Sequence, residues 1–512
     1  MAELVIQRAY YPRICVASSP DVETFVQNLQ HPSLVGLLQF APSPESITVR
    51  NTRHMSTRLT DLAPRFTSVG EISALNSVSV ESASSLLEKN LDKDLDPFLP
   101  WLGDILELTT RPIVPFETWS HPVAGIFAVS AKNSDPLWAL QTLYDSSFEH
   151  LQSLPFVNAD YLRYFLVIHD EGENWDDTFN LFEKVKQRFG PHCGVLRLGS
   201  SQDQQNTVNT QEFIYQMVSQ SVIPFLEECC TVWNDLLALS KQSFTGRLLS
   251  VGRKYLSSSN KVTQNILATV AHKTQKHLPS PFLHSPLRST YTADGGYYHW
   301  TAPQAQLRKI ADFAVVLRDY KFANSIYELL RKEYVNEKAW PYAAACQEML
   351  AVTTLLSMTT PQGKDGSMDN LIDSTVYDYL SRCGLPLYAL RCIVQVTELL
   401  AATPLEKTVY NPGTNALNTA ASWLIKSSSL GLLTSTTYPL ICERIAHVYG
   451  QYDRTRLRKQ SFWLLNASYY WLESNHPQHS KRCFTPCEKN YKGSALEHRE
   501  LFQALKEKLA ST

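Results

Sequence analysis

Short apolar runs separated by amphipathic segments characterise roughly the first 235 residues of the chain. Four nearly continuous apolar runs have the length and β-rich composition of buried strands. They lie at residues 13–18, 123–131, 164–170 and 194–199. Buried strands that alternate with amphipathic helices favour a mostly parallel sheet covered on both faces. The pattern therefore predicts an α/β domain over residues 1–235.

Capping residues predict where two of the helices in this domain begin and end. Asp135 followed by Pro136 has the order of an N-cap and a first helical residue. Asp176 is the predicted N-cap of the next helix, and Gly190 is expected to end it. The face expected to pack inward contains Phe179, Phe182, Val185 and Phe189. Residues 37–115 show few clear periods, so they predict no particular elements.

Helical spacing dominates from residue 304 to residue 512. Apolar residues recur at offsets of three, four and seven in segments 307–317, 323–334 and 389–400. In paired helices, a small residue such as Ala323 allows close approach, and an aromatic residue four positions on, such as Tyr327, fills the adjacent groove. Stacked pairs of this kind predict an all-α, TPR-like solenoid. A generic helical bundle is the alternative.

The segment between these regions, residues 236–303, has a different composition. It contains no Asp or Glu from Leu236 to Ala293. Lysine and arginine occur throughout, at positions 241, 247, 253, 254, 261, 273, 276 and 288. Serine and proline become frequent in its second half, which is typical of a linker.

The first part of this segment has the pattern of a basic amphipathic helix. On a helical projection its apolar residues fall within about 40° of one line. These residues are Leu237, Phe244, Leu248, Val251 and Tyr255. The basic residues Lys241, Arg247, Arg253 and Lys254 lie at the edge of the stripe, beside it or behind it. These nine residues predict contact with an anionic membrane surface. The alternative is that the stripe packs on the core of the protein itself.

Charge alone would not hold such a helix on a membrane. Four basic residues at about 1 kcal/mol each correspond to roughly millimolar binding. Burial of the apolar stripe, or a second contact made by a larger assembly, must supply the remainder.

The sequence contains few signs of catalytic chemistry. It has no P-loop, and the nearest approach, GRLLSVGRK at residues 246–254, has one residue too many between its glycines and lacks the Ser or Thr that would hold magnesium. Neither G-x-S-x-G nor H-E-x-x-H occurs. We therefore predict no catalytic residue and no bound cofactor. A nucleotide- or metal-dependent enzyme on the α/β domain is the less favoured alternative.

Two clusters could in principle hold a metal ion. Acidic residues follow the third predicted strand, at positions 170, 171, 173, 176 and 177, where α/β active sites lie. The same acids would also favour a helix N-terminus electrostatically. A second cluster, His476, His479, Cys483 and Cys487, offers four zinc-type ligands. Its spacing equally fits one face of a helix, so we predict no metal site.

Composition indicates the compartment and excludes one class of partner. The chain of 512 residues has 44% hydrophobic residues, a formal net charge of −2 and a pI near 6.7, so no basic field favours nucleic acid. Ten scattered cysteines suit a reducing compartment, where a free thiol behaves as a small hydrophobic group. The N-terminus lacks the pattern of a signal peptide, and no apolar run is long enough to span a bilayer. A soluble cytoplasmic protein is expected.

Several long stretches resemble one family. Residues 311–350, 120–144, 162–171 and 458–471 are similar to successive motifs of the large subunit specific to TRAPP III, which is the fungal 85-kDa TRAPP subunit and its animal counterpart. The resemblance covers most of the chain in the same order and is weakest at residues 37–115. Larger members of that family continue into C-terminal β-sandwich domains, and this sequence stops at Thr512.

The resemblance implies a function without catalysis. Members of that family scaffold a core of small TRAPP subunits and target it to membranes. That core is the guanine-nucleotide exchange factor for a Rab-type GTPase in ER-to-Golgi traffic and autophagy. The expected partners are core TRAPP subunits, the GTPase through the complex, and an anionic membrane. The expected location is the cytoplasm, peripherally on Golgi and pre-autophagosomal membranes. A TPR-like adaptor that binds peptides without membrane contact is the alternative.

Overall fold

The computed structural model describes most of the chain, which divides into two compact units. The described residues are 2–40, 46–60, 62–71, 79–91, 96–158, 161–199, 203–239, 291–292, 295–357, 367–402, 412–452, 456–492 and 500–511. The sheet unit comprises residues 10–75 and 112–333, and the helical unit comprises residues 1–9, 76–111 and 334–512.

A five-stranded parallel sheet forms the centre of the sheet unit, in the order β4-β1-β5-β6-β7. Its strands are β1 (Arg13–Ser18), β4 (Arg65–Ser68), β5 (Pro122–Ser130), β6 (Leu162–Asp170) and β7 (Cys193–Leu198). Two antiparallel pairs lie outside it, β2 (Ile47–Arg50) with β3 (Ser56–Leu59) and β8 (Tyr291–Thr292) with β9 (Tyr297–Tyr298). The four strands predicted from apolar runs are confirmed, within two residues at each end.

Helices account for most of the remaining described residues. They are α1 (Ala2–Ala9), α2 (Pro20–Asn28), α3 (Leu34–Phe40), α4 (Val80–Leu91), α5 (Phe98–Thr110), α6 (Pro136–Gln152), α7 (Trp175–Phe189), α8 (Asp203–Met217), α9 (Ile223–Leu239), α10 (Pro303–Val316), α11 (Tyr320–Asn336), α12 (Trp340–Leu356), α13 (Ser367–Tyr377), α14 (Pro386–Ala402), α15 (Pro412–Ser429), α16 (Thr437–Gly450), α17 (Leu457–Glu473), α18 (Pro477–Tyr491) and α19 (Glu500–Ser511). Single π-helical turns join α8 to α9 and extend α13.

The buried core of the sheet explains the apolar strand runs. Every residue of β5 is buried, because α6 and α7 cover one face of the sheet while α2, α3 and α8 pack against the other. Phe127 and Phe165 lie at the centre of the core beneath α6 and α7, with ring centroids 5.6 Å apart. Two-sided burial is what continuous apolar strands predict.

The structure confirms two of the predicted helix ends and corrects a third, together with one inward position of α7. Asp135 caps α6 by accepting a bond from Trp138 N at 3.2 Å, and Gly190 ends α7 with φ of 100°. The prediction that Asp176 caps α7 is wrong, because the Asn174 side chain caps it and Asp176 lies inside the first turn. The prediction that Phe179 packs inward is also wrong, because this ring is 47% exposed.

Consecutive helices pack on one another in the helical unit. Within this unit α12 contacts α13, α14 contacts α15, and the series continues through α16, α17 and α18. Ala389, Cys392, Ile393, Val396 and Leu400 are all buried in α14, but so is every other residue from Leu387 to Ala401, so burial does not single out the predicted face. An α/β region with a parallel sheet, followed by an all-helical solenoid, is therefore the observed fold class.

The predicted domain limits at residues 235 and 303 stay predictions, because residues 240–290 lie outside the described part of the chain.

Candidate functional site

Ion pairs lie at the carboxyl edge of the sheet, where the sequence was compatible with a metal or acid–base site. Lys132 Nζ lies 2.8 Å from Asp170 Oδ2 and 3.3 Å from Glu173 Oε1. Partial burial favours a raised pKa for Asp170, but hydrogen bonds from Lys132 and from Gly172 N outweigh it and lower the pKa. A lowered pKa suits a stable ion pair and makes a carboxyl a poor proton donor.

The remaining acids of this cluster support the start of α7. Asp176 and Asp177 lie in its first turn, where carboxylates interact favourably with the helix dipole. Asn174 Nδ2 also donates to Asp177 Oδ2 at 3.1 Å. Throughout the part of the chain that the structure describes, no group of three or more His, Cys, Asp or Glu residues is placed to hold a metal ion.

The histidine and cysteine pattern near the C-terminus is one face of α18. His479, Cys483 and Cys487 are all buried along this helix, which continues through Pro486. His479 Nε2 lies 2.9 Å from Leu91 O, and Cys487 Sγ lies 3.3 Å from Ser461 O. Burial raises the pKa of Cys483, and it raises that of Cys487 to about 12. Protonated, buried thiols of this kind serve packing.

All ten cysteines are thiols outside any disulfide, and eight of them are buried. Burial raises the pKa of Cys15 and that of Cys229 to about 12. These thiols are therefore protonated at neutral pH and behave as small apolar groups, as the sequence predicts.

The predicted membrane-contact residues lie almost entirely outside the described residues. Lys241, Phe244, Arg247, Leu248, Val251, Arg253, Lys254 and Tyr255 fall in residues 240–290. Leu237 lies in the last turn of α9, and the structure describes the course of this helix but not that side chain. Membrane contact by this segment is therefore untested and stays a prediction.

The helix that leads into this segment is well anchored in the sheet unit. Phe225 of α9 packs edge-on against Phe313 of α10, with ring centroids 6.4 Å apart. Cys230 Sγ lies 3.9 Å from Ile310 O. Both cysteines of α9 are buried, as are Leu226 and Ile223. The chain therefore enters the basic segment from a fixed helix.

The β2–β3 hairpin holds α9 from a second side. Arg50 N donates to Glu227 Oε1 at 2.5 Å, and half-burial raises the pKa of Glu227. At the tip of the hairpin, Thr52 N and Thr52 Oγ1 both donate to Asp319 Oδ2, at 3.0 and 2.5 Å. Asp319 also accepts a bond from Phe322 N in the first turn of α11. One carboxylate thus joins the hairpin to the α10–α11 turn.

Sequence reasoning missed this hairpin and the role of Asp319. The available signal was an aspartate immediately before a helical segment, which is typical of an N-cap. Nothing local indicated the distant partner, because Thr52 lies 267 positions earlier in the chain.

A buried polar cluster joins α10 to α11. Arg308 Nε lies 3.0 Å from Asp312 Oδ1, and both side chains are almost fully buried. Thr118 Oγ1 and Tyr327 Oη also donate to the Asp312 carboxylate. Burial raises the pKa of Asp312, although Arg308 and these hydroxyls oppose the shift. Tyr327 therefore does more than fill a groove beside Ala323.

A second buried cluster fixes the middle of the helical unit. Arg391 Nε lies 2.9 Å from Glu348 Oε1, and Tyr379 Oη donates to Glu348 Oε2 at 2.7 Å. Gln395 Nε2 donates to the same carboxylate. Glu398 and Arg444 form a further ion pair between α14 and α16. These groups are satisfied by one another inside the packed helices, an arrangement suited to a rigid scaffold.

Within the described ranges, every helix is too short or too polar to cross a membrane.

Comparisons with known proteins agree on one family. The model of the family described as "ER-Golgi trafficking TRAPP I complex 85 kDa subunit" matches residues 6–212 and 203–404. A transport protein particle subunit of Schizosaccharomyces pombe, trs85-2, is 26% identical over 93% of this chain and 86% of its own length. A second transport protein particle subunit of the same organism, trs85-1, is 22% identical over 79% of this chain and 70% of its own length. The human trafficking protein particle complex subunit 8 is 24% identical over 55% of this chain, which corresponds to 17% of the human protein.

Proposed function

This chain belongs to the family of the 85 kDa TRAPP subunit, and from that premise we propose that it is a non-catalytic subunit of the TRAPP III vesicle-transport complex. It is a TRAPP subunit of vesicle transport, in keeping with relatives named as transport protein particle subunits. We propose that it scaffolds the exchange core for a Rab-type GTPase and brings that core to membranes. The GTPase would meet it through the complex, in ER-to-Golgi traffic and autophagy.

One observation supports the targeting role above the others. Helix α9 is held by Phe313 and Ile310 of α10 and by Arg50 of the hairpin, and it leads directly into the acid-free basic segment. A membrane-binding segment can hold the protein on a membrane only if one end of the segment is fixed to the folded protein. The anchorage of α9 meets that requirement.

The membrane-contact residues remain those chosen from the sequence. Leu237, Phe244, Leu248, Val251 and Tyr255 would enter the acyl boundary, while Lys241, Arg247, Arg253 and Lys254 would face anionic headgroups. The chain would then lie peripherally on Golgi and pre-autophagosomal membranes. Charge alone provides roughly millimolar binding, so the complex would contribute a second contact.

Co-purification tests the assignment to the complex. The full chain, tagged and expressed in cells, should recover core TRAPP subunits, identified by mass spectrometry. The family description names TRAPP I, so subunits specific to each form of the complex must be scored separately. Recovery of no core subunit would refute the proposal, and recovery of TRAPP I components alone would refute the TRAPP III assignment.

Vesicle flotation tests membrane contact. The full chain should float with liposomes that contain phosphatidylserine, and Phe244→Glu combined with Leu248→Glu should abolish flotation. Phe282→Glu combined with Leu283→Glu is the matched control, since it makes the same substitutions outside the apolar stripe. Equal flotation of both double variants would exclude the stripe. A wild-type chain that recovers TRAPP subunits but never floats would favour the peptide-binding adaptor.

A nucleotide-exchange assay tests the scaffolding role. Complexes assembled with and without this chain would be given the Rab-type GTPase on phosphatidylserine liposomes. Faster exchange on membranes, with unchanged exchange in solution, is the expected result. Exchange by this chain alone would contradict a non-catalytic role.

A further inference from the structure

An open cleft in the helical unit is lined by none of the residues of that unit's buried ion-pair clusters. It has a volume of about 740 Å³ and lies where α4, the start of α16 and the end of α17 meet. The polar and aromatic residues that line it include Glu88, Thr434, Tyr438, Tyr470, Glu473 and His476. Its volume lies within the range of clefts that hold small ligands or a few side chains.

Two tyrosine rings form its aromatic part. Tyr438 and Tyr470 are in edge-to-face contact, with ring centroids 4.7 Å apart and planes at 76°. Tyr470 is 36% exposed, although an aromatic ring on a packed helix would normally be covered. In an edge-to-face pair at least one ring presents a face that its partner does not cover. The cleft therefore offers ring surface to a ligand.

The charge of the cleft is negative. Glu88 of α4 and Glu473 at the end of α17 are both exposed at its rim. Among the described residues that line it there is no lysine or arginine. Tyr469 Oη donates to Glu473 Oε1 at 2.5 Å and so fixes the orientation of this carboxylate. A concave surface with charge of one sign attracts a ligand of the opposite sign.

The amino end of α16 does not turn the cleft into an anion site. Thr437 N donates to Thr434 Oγ1 at 3.3 Å, and Tyr438 N donates to Thr434 O at 3.0 Å. These amides are therefore already bonded within the turn. The carboxylates and the tyrosine rings remain as the groups that can select a ligand.

We propose that this cleft binds a lysine or arginine side chain carried by an extended segment of a partner protein. The cation would lie against the exposed tyrosine face while its N–H groups donate to Glu88 and Glu473. Flanking backbone of the segment would meet the hydroxyls of the 434–436 loop. The inference rests on the proposed scaffolding function, and it adds the place of one contact with a partner protein and the chemistry that this contact recognises.

Fluorescence polarisation with defined peptides tests the cleft in the full chain. The probe is a fluorescein-labelled repeat of Gly-Arg-Ser, compared with the same peptide containing Gln or Glu in place of Arg. The arginine peptide should bind, and the glutamine and glutamate peptides should not. Glu88→Gln combined with Glu473→Gln should weaken binding about tenfold. Tyr470→Leu should weaken it about threefold or more.

A matched control separates the cleft from general charge. Asp373→Asn combined with Glu507→Gln removes two exposed carboxylates of the helical unit that lie outside the cleft lining. This variant should bind within about twofold of the wild type, and all variants should keep the wild-type melting temperature. Binding that is absent, equal for the three peptides, or unaffected by the cleft variants would overturn the proposal.

Recovery of core TRAPP subunits by the wild-type chain, scored beside peptide binding by the wild type and the variants, distinguishes the two proposals. A wild-type chain that recovers no core subunit refutes the proposed function, whatever the peptide does. If the chain recovers the core but binding of the arginine peptide does not depend on Glu88 and Glu473, only the cleft proposal is refuted.

Discussion

Glu348 and Arg391 form an ion pair in which both side chains are almost fully buried, at 0% and 1% exposure. The pair joins α12 to α14, and the same carboxylate accepts bonds from Tyr379 and Gln395. Every polar atom of the Glu348 carboxylate therefore has a partner within the helical unit. Such clusters are costly to break from one side only, because the remaining charge cannot reach water.

Arg391→Met should therefore destabilise the protein strongly. Removing the guanidinium leaves Glu348 buried and unpaired, which costs about 3–5 kcal/mol. Glu348→Leu combined with Arg391→Met should be less destabilising than Arg391→Met alone, since no buried charge remains. Urea unfolding of both variants and of wild type measures the difference. A loss below about 1 kcal/mol for the single variant would show that water or another group reaches the carboxylate.

Asp319→Ala should loosen the β2–β3 hairpin and the start of α11 together. The substitution removes both bonds from Thr52 and the bond from Phe322 N. We expect a loss of about 1–2 kcal/mol and faster amide exchange at residues 50–55 and 320–324. Hydrogen exchange followed by mass spectrometry measures both segments.

Thr52→Ala is the control for that prediction. It should accelerate exchange in the hairpin and leave the start of α11 nearly unchanged, because Asp319 keeps its capping bond. If Asp319→Ala affected only residues 320–324, the carboxylate would not hold the hairpin.

Membrane binding by the proposed segment should weaken with salt. The basic residues Lys241, Arg247, Arg253 and Lys254 act at the headgroup surface, where the Debye length shortens from about 10 Å at 0.1 M salt to about 3 Å at 1 M. Flotation with phosphatidylserine liposomes should fall about tenfold or more over that range. Arg247→Gln combined with Arg253→Gln should reduce the salt sensitivity. Flotation that is insensitive to salt would indicate attachment by apolar burial alone.

The long strands were predictable from the sequence, and the short ones were not. The apolar runs of β5 and β6 each span nine residues, all or nearly all buried, so local composition alone identifies them. Strand β4 is RFTS, with one large apolar residue, and its place in the sheet depends on distant contacts. Arg65, for example, donates to Tyr11 O at 3.1 Å and to Trp119 O at 2.7 Å. No local signal predicts such partners.

The N-cap and the inward face of α7 show how competing local signals can lead to a wrong prediction. Asn174 and Asp176 are both good N-caps, and the structure uses the earlier one. Thr178 then takes an inward position, where its hydroxyl lies 2.8 Å from His169 Nδ1, and Phe179 turns to solvent. A hydrophobic pattern alone assigns the inward position to the phenylalanine, because it cannot anticipate a buried histidine partner.

Thiol labelling should be slow in the folded protein. The thiolate is the reactive form, and burial raises the pKa of Cys15, Cys229 and Cys487 to about 12. Cys193 and Cys383 are the partly exposed thiols, and their pKa values are raised to about 11 and about 12. Iodoacetamide at pH 7.5 should therefore modify these two first and the buried thiols only after unfolding. Mass spectrometry of native and urea-unfolded samples measures the order, and rapid native labelling of Cys487 would contradict the packing of α18.

His121 should make the stability of the protein depend on pH. Burial, together with the nearby cations Lys309 and Arg308, lowers its pKa from 6.5 to about 3, even though Nε2 donates to Val114 O at 2.9 Å. The folded state therefore keeps a neutral imidazole where the unfolded chain is protonated. The stabilisation is complete above pH 6.5 and is lost progressively as the pH falls toward 3.

The variant His121→Gln isolates this contribution, because a glutamine amide can still donate to Val114 O but does not titrate. Between pH 7 and pH 5 the wild type should lose about 2 kcal/mol more unfolding free energy than the variant, at about 1.4 kcal/mol per pH unit below pH 6.5. Other histidines, such as His169 with its lowered pKa, affect both proteins alike and cancel in the comparison. Urea unfolding at the two pH values measures the difference. Equal losses of unfolding free energy would mean that His121 becomes protonated in the folded protein. That result would refute the burial of its ring beside Val114.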